Sequence, residues 1–190
     1  KPVGFFDPKN PAMKKAKDPG SEEEIKSIEE ASTEGRSPML SFSNTDMAFK
    51  DNIMVAGSYH GFNVYELADD GIPSLVSSVI CPGGQGDVSI VENLLIMSVQ
   101  DTRGRLDCGL QGAGSEPTPE RFRGIRIFDI SDVTMPMQVG AVQTCRGSHT
   151  HSVVSGPDAD GKIIVYNSGT SSIRDEEELA GCYDGPGDNR

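Results

Sequence analysis

Three short polar stretches carry the residue types best able to do chemistry in this 190-residue chain: Asn44-Thr45-Asp46, Gln85-Gly86-Asp87 and His149-Thr150-His151. In an extended strand, residues two apart point to the same side. Each stretch can therefore present a polar pair to one surface. Asp46 and Asp87 bring carboxylates, and His149 and His151 bring imidazoles. If the three strand starts converge, these four side chains make a mixed oxygen and nitrogen ligand set for a divalent cation. Imidazole favours zinc or a transition metal over calcium in such a set. The alternative is that the same groups hydrogen-bond backbone and water in an ordinary wet channel.

Other chemistry is less well provided for. The Gly-rich runs CPGGQGD (81–87) and TRGRLDCGLQGAG (102–114) do not join a strand to a helix, as a phosphate-cradling loop must. PDADGK (157–162) lacks the closing Glu of a calcium loop and reads as a hairpin turn. Ser152 and Ser155 lie near His151, but no acidic residue is placed by sequence to orient that histidine. Arg103, Arg105, Arg121, Arg123 and Arg126 cluster in one region. They are expected to pair with neighbouring Asp and Glu at the surface, with anion binding as the alternative.

The elements that must position these residues are strands. From Met39 onward, short runs of β-branched and apolar residues are broken by Gly, Asn, Asp and Pro every 8–12 residues, which marks an all-β fold. DMAF, NIMVAGSY, GFNVYEL and SLVSSVI read as four successive strands. Their turns fall at Lys50-Asp51-Asn52, His60-Gly61 and the segment from Asp69 to Pro73. The unit then recurs. Gly61 aligns with Gly124, Tyr65 with Phe128, Leu67 with Ile130, Pro73 with Pro136 and Cys81 with Cys145. Asp46 lies 41 residues before Asp87, whereas Asp87 lies 64 before His151. The excess sits in one Gly/Pro-rich insertion near 101–123, between the second and third strands of its unit. The tract 171–190 begins a like insertion in the next unit. Four meandering strands in a unit of this length make a β-propeller blade, so about two and a half blades are predicted.

The residues also carry a family resemblance. GIRIFDISDVTMPMQVGAV (124–142) resembles the LVIVD repeat. SNTDMAF (43–49), CPGGQGDVSI (81–90), RFRGIRIFDISD (121–132) and CRGSHTHSVV (145–154) together resemble large secreted bacterial propeller proteins built from that repeat. The similarity spans roughly residues 40–183. It implies a partial propeller over 41–190 and a secreted, periplasmic or cell-surface location. It also implies further blades, in a longer chain or an assembly, beside those present here. The role it implies is a scaffold or binding protein rather than a catalyst. A second resemblance is confined to residues 148–153. They are similar to the H-x-H strand starts near the central metal of selenium-binding/methanethiol oxidase propellers. It implies His149 and His151 as ligands in a metal-dependent oxidoreductase, the alternative reading.

The four cysteines form no close CxxC pair of the kind found in zinc ribbons. Cys81 and Cys145 each lie six residues before the aligned polar positions Asp87 and His151, and Cys108 and Cys182 each fall in an insertion. Of three possible connectivities the repeat selects Cys81–Cys108 and Cys145–Cys182, which implies an oxidising compartment. Residues 1–40 read as an extended arm, with a capping box at Ser21 starting a short helix over 22–31. The net charge of −12 argues against nucleic acid as a partner. No apolar run approaches the length of a membrane span, which leaves a protein partner or the remaining blades.

Overall fold

The computed structural model describes residues 43–183 and residue 185, so the predicted arm and its helix lie outside the described residues. The described residues are all-β, with no helix among them. Ten strands follow in order: β1 (Asn44–Lys50), β2 (Ile53–Ser58), β3 (Gly61–Leu67), β4 (Pro73–Ile80), β5 (Gln85–Val91), β6 (Leu94–Val99), β7 (Gly124–Asp129), β8 (Met137–Gln143), β9 (Thr150–Ser155) and β10 (Ile164–Ser168). They form two four-stranded antiparallel meanders, β1-β2-β3-β4 and β5-β6-β7-β8, and a β9-β10 hairpin. The sheets do not close on one another in a ring. No helix of the described residues is long and apolar enough to cross a membrane.

The four expected strands of the first unit are β1 to β4, and PDADGK is the turn of the hairpin. Asp158 builds that turn by accepting from Asp160 N at 3.0 Å and Lys162 N at 2.8 Å, an Asx-type substitute for backbone pairing. The alignment of Gly61 with Gly124 has a steric cause. Both open the third strand of their sheet at positive φ, 136° and 149°. A Cβ there would meet the carbonyl oxygen of Val79 or Val142 at 2.0 Å, so only glycine lets the fourth strand close on the third.

Alternation along each strand divides a sheet into two faces. One face of the first sheet and one of the second meet in the core, which holds Val55, Phe62, Val64 and Val79 against Val88, Leu95, Met97 and Phe128. Phe62 and Phe128 stack edge to face with centroids 4.9 Å apart, an arrangement that adds about 1 kcal/mol to the area they bury. The repeat frame exposes an asymmetry. Val79 and Val142 are equivalent, yet Val79 is 1% exposed and Val142 55%. The second sheet covers Val79, whereas only the two strands of the hairpin lie beside the second sheet. At the other end, Met47 and Phe49 are the equivalents of Val88, in the core, and Ile90, half-buried against it, and they are 56% and 58% exposed.

Both expected disulfides are present, Cys81–Cys108 and Cys145–Cys182. They tether the segments 101–123 and 171–183, which contain almost no strand. The first segment is ordered by backbone pairs: Leu106 N to Glu120 O, Phe122 N to Gly104 O and Ala113 N to Arg103 O. The arginines correct the surface expectation. Arg103 and Arg105 do pair with neighbours, Asp101 for the one and Asp107 and Glu120 for the other. Arg121, Arg123 and Arg126 are instead buried. The Arg126 guanidinium sits 4.3 Å from the Phe122 ring centroid and donates to Gln138 Oε1 at 3.0 Å and to the carbonyls of Arg105 and Leu106. Burial lowers its pKa to about 9, against the opposing pull of Asp107. It pins the first insertion to the sheet beneath.

Candidate functional site

The starts of β1, β5 and β9 come together where the sheets adjoin, because β1 packs on β5 and β5 on β9. Bulges help to aim them. The pairing of β1 with β2 shifts between Asn44 and Asp46, and that of β5 with β6 shifts between Gln85 and Val88. An extra residue at such a point re-aims the side chains beside it. Gly86 belongs to the second bulge. Its φ is +79°, and a Cβ on it would lie 2.3 Å from the Ser58 carbonyl oxygen, so the polar stretch Gln85-Gly86-Asp87 can approach the first sheet only through glycine.

Two aspartates lace the three sheets together. Asp46 Oδ2 accepts from Val88 N at 3.1 Å, crossing from the first sheet to the second. Asp87 Oδ2 accepts from His151 N at 2.8 Å, crossing from the second sheet to the hairpin. The same carboxylate oxygen lies 2.9 Å from His151 Nδ1. Ser98, on β6, puts its Oγ 2.8 Å from that nitrogen and 2.8 Å from Ser148 Oγ, and it donates to Asp87 Oδ2 at 3.4 Å. The imidazole is buried and its Nε2 has no partner. Burial lowers the His151 pKa, against the opposing pull of Asp87 and Asp46. Protonation would place an N–H at Nε2 with no acceptor, so the neutral ring is the form this environment favours.

The arrangement contains a serine, a histidine and an aspartate in contact, but not in the order nucleophilic catalysis needs. A base must be held by its carboxylate through one ring nitrogen and address the serine through the other. Here Asp87 and Ser98 share Nδ1, and Ser98 is buried. Ser152 and Ser155 are exposed on β9. The metal set of Asp46, Asp87, His149 and His151 is not assembled either. His149 precedes the first residue of β9, where strand alternation does not govern it, and its Nδ1 lies 3.0 Å from Gln100 Oε1 and 3.4 Å from Thr170 Oγ1. Among the described residues no group of three His, Cys, Asp or Glu is placed to hold a metal ion. Of the remaining expected channel residues, Gln85 accepts from the Tyr59 hydroxyl at 3.3 Å and Asn44 pairs with Ser58 at the open end of β1.

Sequence reading missed Ser98 and Ser148. Ser98 is the penultimate residue of an otherwise apolar strand, LLIMSV, a pattern that marks neither its partners nor its role. The fold and the joint between its sheets define an all-β chain of successive antiparallel meanders, held by two disulfides and by aspartates that reach from each sheet to the next. No protein-family model matches the chain, and a search of curated proteins finds no match either.

Proposed function

We propose that this chain is a stretch of an LVIVD-type propeller acting as a non-catalytic binding scaffold in a secreted, periplasmic or cell-surface setting. The observation that carries the reading is the pair of exposed faces at opposite ends of the array. Met47 and Phe49 occupy the positions that Val88 fills in the sheet-to-sheet core and Ile90 fills against it, and Val142 occupies that of buried Val79. A face patterned for burial and left exposed marks an interaction surface. By repeat equivalence, its natural occupant is another four-stranded unit of the same kind. The Asp46 and Asp87 joints support a structural role for the polar column, since each carboxylate is already engaged by the backbone of the next sheet. The two disulfides suit an oxidising compartment.

The test uses the native protein. Met47→Asp combined with Phe49→Asp places charges on the first face without touching the core between the sheets. Native mass spectrometry or analytical ultracentrifugation should then show loss of the larger particle, or failure of ring closure in a longer chain, with circular dichroism unchanged. Unaltered assembly by the double variant would remove the basis for the reading.

A further inference from the structure

We propose that the cleft between the two disulfide-tethered segments binds a small dianionic oxyanion, a phosphate or sulfate group, free or carried on a larger ligand. The cleft has a volume of about 690 Å³ and lies between residues 101–123 and 172–178. Its inner wall holds three buried arginines, Arg121, Arg123 and Arg174, and one buried carboxylate, Glu178. Glu178 is shared among all three. It bonds Arg121 closely, receives Arg174 Nε at 3.0 Å and stands 3.9 Å from Arg123 Nη2. One negative charge against three positive leaves two in excess, buried in a protein whose net charge is −12. At the rim Asp101 is bound to Arg103, and exposed Asp175, which accepts from Glu177 N, adds one negative charge, so the excess of two on the inner wall becomes a net charge of +1 over the whole lining.

Backbone carbonyls satisfy part of the guanidinium hydrogen-bonding capacity. Arg174 donates to Arg121 O, Arg123 to Ser172 O, and Arg121 to Gly114 O and Glu116 O. These bonds fix the arginines in place but bring no charge. Arg121 Nε and Arg123 Nε are buried with no partner. Burial, followed by repulsion from Arg123 and Arg121, draws the Arg174 pKa down to about 10. Confinement of such an excess in a cleft concentrates anions. The planar, multi-donor guanidinium suits phosphate and sulfate oxygens. Thr102, Ser115 and Ser172 add hydroxyl-bearing residues to the lining.

The test is calorimetric titration of the oxidised protein with inorganic phosphate and, separately, sulfate at constant ionic strength, with chloride as the control. A sugar phosphate and a sulfated monosaccharide form further arms, so that a free anion is distinguished from a ligand-borne group. The expected result is saturable binding of phosphate or sulfate and none of chloride. Arg121→Gln should weaken it about tenfold, the effect of one lost ionic contact. Glu178→Gln leaves three buried arginines without their shared counter-charge, so its fold is checked by circular dichroism, and the wild-type titration decides the matter if either variant folds poorly. If the arginines only lock the two segments together, removing their shared counter-charge gains nothing. If they form an anion site, it should tighten binding about tenfold by removing a like charge from the site. Absence of saturable binding in both the wild type and Glu178→Gln, or equal response to chloride, overturns the proposal.

Discussion

Asp87 is the side chain whose removal most directly tests the joint between the second sheet and the hairpin. In Asp87→Ala the backbone N–H of His151 loses its acceptor, now at 2.8 Å, and the imidazole loses the carboxylate 2.9 Å from Nδ1. A hydrogen bond to a charged group contributes about 1.5–3 kcal/mol. Asp87 is partly accessible, so water can replace some of what is lost, and the lower part of that range, about 2 kcal/mol, is the expected cost. The hairpin has only two strands and rests on β5 through this joint. The loss should therefore appear first as local opening rather than as global unfolding. Hydrogen exchange of amides in β9 should accelerate roughly 30-fold, the factor that 2 kcal/mol sets at 25 °C, while amides in β2 and β3 remain protected. Asp87→Asn, which keeps an acceptor oxygen, should fall between wild type and alanine. Unchanged exchange at His151 in the alanine variant would refute the joint.

Four further outcomes follow from the same geometry. Because the His151 pKa is lowered on folding, the unfolded chain binds the extra proton first. Stability from this site is complete above the ordinary histidine value near 6.5 and declines as pH falls below it; urea denaturation between pH 7 and pH 5 should show that decline, and His151→Asn should flatten it. The disulfides close 27 and 37 residues of sequence separation, so a chain-entropy model assigns them about 3.5 and about 4 kcal/mol. Serine replacements of Cys81 with Cys108, or of Cys145 with Cys182, should lower thermal stability accordingly. Phe128→Ala should destabilise by about 3–5 kcal/mol, because the buried ring bridges both sheets. Gly124→Ala should fail to fold or melt far below wild type, given the Val142 carbonyl at 2.0 Å from any added Cβ, whereas Gly161→Ala, with open space around it, should cost only the backbone strain of a Cβ at φ +75°.

The strand framework was legible because its signals are local or periodic. β3 coincides with GFNVYEL, since the glycine that opens it and the alternating apolar residues are visible in the chain itself. The disulfide pairing was legible through the repeat, which sets Cys81 and Cys145 in one frame with Cys108 and Cys182 in the insertions. Side-chain partnership was less so. Asp87 and His151 meet as the repeat implied, but His149 stands one residue before its strand, so the period-two argument that paired it with His151 does not reach it. Ser98 entered the joint from an apolar strand, where nothing in the sequence marks it. The arginine cleft depends on Arg174 and Glu178, which lie some fifty residues from Arg121 and Arg123. Contact at that distance is set by two tethered loops meeting, not by any pattern along the chain.

The claim on which the account rests is that the described strands are part of a larger array of like units. It is tested most directly by the intact mass of the native, non-reduced particle in solution. The expected result is a particle heavier than one 190-residue chain, either a longer polypeptide or several copies, in which the Met47–Phe49 face is protected from solvent labelling. A soluble, cooperatively melting monomer of these 190 residues alone, with that face freely labelled, would contradict it.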